Sequence, residues 1–191
     1  GMQPAAIASL LARIGTADPA VPQPALGEIV DGFDLSGFGR ATAKFDPAEL
    51  AQINARVIQQ LDFAAVETDL VAAGVGGGAP FWRAVRDNLG KVAEAADWWS
   101  VCTAPVTPVI EAEAQAITNA AADLLPEGDL PADIWGDWTR AVAAQTGVKG
   151  RGLFMPLRLA LTGRQKGPEI APLLSFMGRA RVIERLRGNT A

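Results

Sequence analysis

The sequence predicts an all-α protein built as multi-helix bundles, and three observations predict it. Apolar residues recur at helical spacing along most of the chain. No stretch alternates apolar and polar residues as a half-buried strand would. Proline, glycine and capping residues punctuate the periodic segments where helices start and stop. About eight to ten helices are expected, with no internal repeat and no low-complexity tract. At 191 residues, 49% of them apolar, the chain is long enough for one domain or two small ones and can bury a sizeable core.

Taken in order, Gly1-Met2 reads as a tag remnant ahead of a start and is left out of fold reasoning. Pro4 to Ile14 carries Ile7, Leu10, Leu11 and Ile14 at i, i+3, i+4, i+7, an amphipathic helix closed by Gly15-Thr16. Residues 16–25, rich in Pro and Ala, read as loop, and Leu26 to Val30 as a short helix before the turn at Phe33-Asp34. Asp46-Pro47-Ala48-Glu49 marks a helix start: Asp46 as N-cap, Pro47 at the first position, Glu49 three after the cap. That helix sets Leu50, Ile53, Val57, Ile58 and Leu61 on one face. Asp62 to Ala73 is expected as the next. Gly74 to Ala79, GVGGGA, fits the G-x-G-x-x-A form of a dinucleotide loop, but a helix precedes it and no βαβ unit surrounds it, so it reads as a flexible linker.

Pro80 to Val101 is expected as one long helix with Phe81, Val85, Leu89, Val92 and Ala96 near one face. Its tryptophans Trp82, Trp98 and Trp99 suit either a core or stacking platforms for bases, and an amphipathic helix favours the core. Arg83 and Arg86 fall on its polar side, for phosphate or for solvent. Thr107-Pro108 opens a helix to Leu125. Glu111 and Glu113 are two apart and point in different directions, so they complement the helix dipole and do not form an acid–base pair. Asp129, Asp133 and Asp137 read as helix-start acids with no metal role. Pro131 to Thr146 is the next helix, with Ile134, Trp138, Ala141 and Val142 inward. The last stretch holds three short helices with cations at their joints. The basic turn from Gly147 to Gly152 leads into an apolar segment that Thr162-Gly163 stops. Gly167-Pro168-Glu169 starts another helix, Gly178 ends it, and Arg179 to Arg187 follows.

Composition narrows the function. With no histidine and the single Cys102, neither a zinc site, an internal disulfide, nor a Ser/His/Asp or Cys/His nucleophile is expected. No apolar run approaches the ~18 residues of a membrane span, and no secretory leader is visible. The net charge of −4 hides an asymmetry. Residues 1–137 carry 7 Lys+Arg against 19 Asp+Glu, a net of −12, while residues 138–191 carry 10 against 2, a net of +8. Such a split leaves either an electrostatic footprint for a polyanion or a basic tail that solubilises or docks on the acidic part.

The motifs of the last stretch, TGVKGRGLFMPLRLALTG (Thr146 to Gly163), then Gly167-Pro168-Glu169, then Arg185-Leu186, resemble the C-terminal anticodon-binding end of bacterial glutamyl-tRNA synthetase, of the alphaproteobacterial type. PAAIASLLARIGTAD near the start, FDPAELAQIN (Phe45 to Asn54) and FWRAVRDNL (Phe81 to Leu89) resemble the same family in the same order. The resemblance implies residues 1–74 as a helical stem-contact-like domain, 75–79 as linker, and 80–130 and 131–191 as two helical anticodon-binding subdomains. It implies a non-catalytic tRNA-binding module with no cofactor, since the family's His-rich signature and KMSKS-like loop are absent from this sequence. The partner would be a tRNA of the tRNA-Glu or tRNA-Gln type, with a catalytic synthetase domain in cis or a protein in trans. The cytoplasm is the expected location. The alternative is a free-standing, synthetase-derived regulatory or protein-interaction protein that no longer binds tRNA.

By position in the motif, the resemblance assigns Arg158, Gly167, Pro168 and Ile170 to anticodon bases. Lys149, Arg151, Arg164 and Lys166 would contact phosphates and set affinity and salt dependence. Arg158 suits either a bidentate or stacked base contact or a structural cation on neighbouring carbonyls. Lys166 departs from the family, where many members have His before Gly-Pro.

Overall fold

The computed structural model describes residues 1–40 and 42–191. Among the described residues there are eleven α-helices and no strand. They form two compact units, residues 1–96 and 97–191.

The first unit contains α1 (Pro4–Leu11), α2 (Leu26–Asp31), α3 (Pro47–Gln60), α4 (Phe63–Ala72) and α5 (Gly78–Val85). The Asp46 carboxylate accepts from the Ala48 amide at 2.8 Å, and Pro47 begins α3 as expected. Ala6 and Leu10 of α1 bury against Ile53 and Val57 of α3. Ile7 and Leu11, assigned to the same inward stripe, are exposed, and α1 stops at Leu11, short of Ile14. Ile7 and Leu11 fall outside the face that meets α3. Asn54 ties the unit together from a fully buried position: its Oδ1 accepts from the Gln3 amide and its Nδ2 donates to the Gly90 carbonyl, both at 2.7 Å. A buried amide satisfied this way holds segments distant in sequence at one spacing.

The long helix expected from Pro80 to Val101 is broken into α5, two short 3-10 turns (Arg86–Asn88 and Val92–Glu94) and α6 (Ala95–Thr103). Asn88 and Gly90 are poor helix residues, and Lys91 is extended. Phe81, Val85, Leu89 and Val92 are still all buried, because the breaks re-aim successive pieces at the same core. The Gly74–Ala79 stretch lies inside the first unit, not between units. Gly74, Gly77 and Gly78 all have positive φ and build the tight turn that folds α5 back on α4.

The second unit takes in the rest of α6, then α7 (Gln115–Asp123), α8 (Ile134–Thr146), α9 (Arg151–Thr162), α10 (Ile170–Met177) and α11 (Arg179–Leu186). The helix expected from Thr107 begins only at a 3-10 turn, Ala112–Ala114. Residues before it use their backbone elsewhere: Val106 exchanges amide bonds with Ala191, and the Val109 amide donates to Leu159. α8 starts at Ile134, three residues after Pro131, and Ala141, expected inward, is exposed. α9 ends at Gly163 with φ 67°, the left-handed cap its sequence announces. Pro156 inside α9 denies the Gly152 carbonyl its usual i+4 donor. α10 starts at Ile170, so Pro168 precedes the helix and is itself buried. The core gathers Trp138, Leu153, Leu157, Leu161, Leu173, Leu174, Val182 and Leu186, and Trp138 Nε1 donates to the Ala121 carbonyl at 2.9 Å.

α11 closes this unit with arginines. The last carbonyls of α6 have no intrahelical donors. Arg181 Nη1 donates to Cys102 O and its Nη2 to Thr103 O, both at 3.1 Å. Arg185, 0% exposed, donates from Nη1 to Val101 O and Leu161 O at 2.7 Å, from Nη2 to Ala104 O at 2.9 Å and from Nε to Ala191 O at 2.8 Å. Burial, reinforced by the charge of Arg181, brings the Arg185 pKa down to about 10, so it remains a cation at neutral pH. Burial also pushes the Cys102 thiol beside it up to about 12.

Two outcomes follow for stability. Arg185→Met, of similar length but without donors, strands several buried carbonyls and is expected to cost about 3–5 kcal/mol in urea denaturation; a loss near zero would show that solvent reaches those carbonyls. Cys102 is expected to resist iodoacetamide at mildly alkaline pH in the folded chain and to alkylate promptly in concentrated guanidinium.

Candidate nucleic-acid interface

The ten cations of residues 138–191 do not act together. Arg140 pairs with Asp137 at 2.7 Å. Arg179 donates to the Pro126 carbonyl at 2.8 Å, and Arg187 meets Asp123 at 2.6 Å. With Arg181 and Arg185 occupied as above, all of α11's arginines are structural. Five cations remain around the two ends of α9: Lys149, Arg151, Arg158, Arg164 and Lys166.

Arg158 is half-buried on α9. Its Nη2 donates to the Pro168 carbonyl at 2.7 Å, while Nη1 is buried with no protein partner. Burial lowers its pKa. Arg158 lines a cavity of about 380 Å³ together with Trp135, Phe154, Glu169, Ile170 and Ala171. Phe154, 44% exposed, stacks on Trp135 with centroids 6.1 Å apart and planes at 28°. Trp135 also meets Trp138 edge-on at 5.5 Å, which fixes the platform to the core. Ile170 is 5% exposed and closes the wall. The pocket therefore brings together an aromatic face, the half-buried Arg158 guanidinium and a carboxylate acceptor in the exposed Glu169.

Gly167 and Pro168 stand behind this pocket. Gly167 has φ +143°, and a Cβ built on it would land on Cη2 and Cζ2 of Trp98. Pro168 is buried and spends its carbonyl on Arg158. Arg164 lies with its guanidinium 4.7 Å over the Trp98 ring. Lys149, Arg151 and Lys166 are exposed and make no ion pair among the described residues. Arg151 stands at the rim of a second cavity of about 460 Å³ with Met155, Pro156, Leu159 and Gln165. Of the sequence-assigned residues, the structure brings Arg158 and Ile170 to one cavity. It places Gly167 and Pro168 in that cavity's support and the four outer cations on either side of α9. Trp82 and Trp98 are core, and Trp99 is half-buried edge-on to Phe176. Trp135, Phe154 and Glu169 were not singled out as site residues in the sequence. The available signal was an aromatic at 135, off the inward phase of α8. No group of three or more metal-ligating side chains occurs among the described residues.

Exposed aromatic faces, arginine and flanking cations are groups to which splayed bases and their phosphates can bind. The family model for the anticodon binding domain matches residues 91–189, and the chain belongs to that family. Over its whole length it is 50% identical to glutamate–tRNA ligase 2 of Methylorubrum populi, of which it covers 42%. Glutamate–tRNA ligase 1 of Ruegeria pomeroyi is 46% identical over 93% of this chain and 40% of the ligase. The chain thus spans less than half the length of these relatives. A glutamate-tRNA synthetase structure from Elizabethkingia anophelis superposes with a TM-score of 0.75 at 20% identity, over 97% of this chain and 40% of that one, a likeness of fold.

Gly167→Ala is expected to lose at least about 1–3 kcal/mol of stability, since the new methyl must displace a packed indole. Gly147→Ala, in the left-handed helical region at φ 72°, ψ 0° with open space around its Cβ position, should lose only about 1 kcal/mol. Equal losses at the two positions, read by thermal melting, would remove the packing account.

Proposed function

We propose that the chain is a non-catalytic tRNA-binding module whose second unit receives the anticodon loop of a tRNA of the tRNA-Glu or tRNA-Gln type. The Arg158 guanidinium beside a cavity walled by the stacked Trp135 and Phe154 rings carries this reading. A splayed base stacked on Phe154 would present its edge to Arg158 as donor and Glu169 as acceptor. Ile170 supplies the apolar wall, while Gly167 and Pro168 shape the support. Lys149, Arg151 and Lys166, exposed and without ion pairs among the described residues, would contact backbone phosphates, with Arg164 the fourth cation of that group by sequence position.

We assign no aminoacylation to these residues, since a histidine-free sequence lacks the signature that activates the amino acid. A catalytic synthetase domain, in cis or in trans, would supply that chemistry, in the cytoplasm. No helix among the described residues is long and apolar enough to cross a membrane. The first unit favours a protein contact of this kind, or the regulatory role of the alternative reading. Ile7, Leu11, Leu26, Val30, Phe33 and Leu35 are all exposed, Leu35 at 75%, an unusual density of apolar surface. Leu35→Glu should then weaken co-migration with the remaining part of a relative such as the M. populi ligase. No co-migration of the wild-type chain would end that assignment.

Filter binding to tRNA-Glu and tRNA-Gln at several salt concentrations tests the main reading. Binding is expected to fall with salt. Arg158→Ala and Phe154→Ala should each weaken it by about 1–3 kcal/mol. Replacing Lys149 and Arg151 together should shrink the log–log salt slope by about 1.4. Negligible retention of both tRNAs at low salt would defeat the proposal.

A further inference from the structure

We infer that Trp98 is a positioning residue for base reading: it clamps the 163–168 turn from beneath and thereby sets the aim of Arg158. The inference rests on the RNA-binding reading above and goes beyond it, because Trp98 belongs to α6 and does not line the Arg158 cavity.

Five contacts carry it. The Thr162 hydroxyl donates to the Arg158 carbonyl at 2.8 Å and accepts from the Arg164 amide at 3.1 Å, so the turn leaves α9 in a fixed direction. Arg164 then folds over the Trp98 ring at 4.7 Å, within the range of a cation–π contact. Three residues later Gly167 lies so close to the ring edge that no Cβ fits there. The next residue, Pro168, delivers its carbonyl to Arg158 Nη2 at 2.7 Å. Trp98, 6% exposed, is thus gripped by the turn at both ends, and the product of that grip is one carbonyl oxygen. That oxygen occupies one arm of the guanidinium, while Nη1 is buried without a protein partner. A planar fork held at one arm is restricted in where its remaining N–H groups can point.

This assignment moves Arg164 out of the phosphate-binding set. A guanidinium stacked on an indole keeps its charge, but the ring face fixes its position and commits it to holding the turn. Arg164 and Trp98 should therefore affect which base is accepted, and the outer cations Lys149, Arg151 and Lys166 how strongly any RNA is held.

The test compares two RNA hairpins, the tRNA-Glu anticodon stem-loop and the same hairpin with its anticodon bases replaced, by fluorescence anisotropy across a salt series. The wild-type chain is expected to prefer the first. In Trp98→Ala that preference should fall at least about fivefold with the salt slope unchanged, and Trp98→Phe, which keeps an aromatic face, should recover most of it. The double variant Trp98→Ala/Arg158→Ala should discriminate no worse than Arg158→Ala alone, since the indole acts through that arginine. If Trp98→Ala does not fold, Arg164→Leu decides: lost preference with an unchanged slope supports the clamp. An unchanged preference with a slope reduced by about 0.7 marks a phosphate contact and overturns it. Full discrimination in a folded Trp98→Ala chain overturns it too. A wild-type chain without preference between the hairpins overturns the anticodon reading itself, and the clamp with it.

Discussion

A single guanidinium holds the second unit in one arrangement. Arg185 has no exposure to solvent and gives four N–H bonds to carbonyls of Val101, Ala104, Leu161 and Ala191. Those oxygens belong to the end of α6, the end of α9 and the segment beyond α11. Without the cation they would point at one another across a dry space, at a cost comparable to a lost hydrogen bond for each. With it, three chain ends are fixed at mutual distances set by one planar group. The turn that follows α9 begins two residues after Leu161, so its starting point is among the things Arg185 determines.

The basic character of the last 54 residues consequently serves two purposes. The arginines of α11 face inward or toward acids and act as replacements for missing helix-end donors. The cations around α9 have no such obligations, apart from Arg158 on Pro168 and Arg164 on Trp98. The acidic side of the same unit contributes to this division: Asp123 and Glu127 lie beside Arg187 and Arg179, taking up charge far along the chain from the pocket. Outside α11, the cations of residues 138–191 left without an acidic partner among the described residues lie near the ends of α9 and within it. Exposed ion pairs such as these add little stability.

Much of the fold could be read from local chemistry, and the failures have a common origin. The starts and stops of α3, α9 and α11 depend on Asp46, Gly163 and Gly178, residues whose effect is local. The long helices expected over 80–101 and 107–125 fail because their backbone groups find partners far away in sequence. Val106 pairs with Ala191, and Asn54 reaches to Gly90. The same distinction applies to the site. Arg158 and Ile170 were visible through a motif, whereas the platform of Trp135 and Phe154 joins side chains from α8 and α9. Arg185 was visible only as one more charge, since nothing in Arg-Leu says that its fork will be entombed.

The contact between Gly167 and Trp98 limits how this chain can drift. A smaller residue at 98 would open a void beneath the turn, and the natural remedy, a larger residue at 167, is barred by a backbone at φ +143° that side-chain-bearing residues rarely adopt. Neither position can compensate for the other by a single step. The two behave as one inherited unit, to be kept whole or abandoned together with the conformation of the loop they hold.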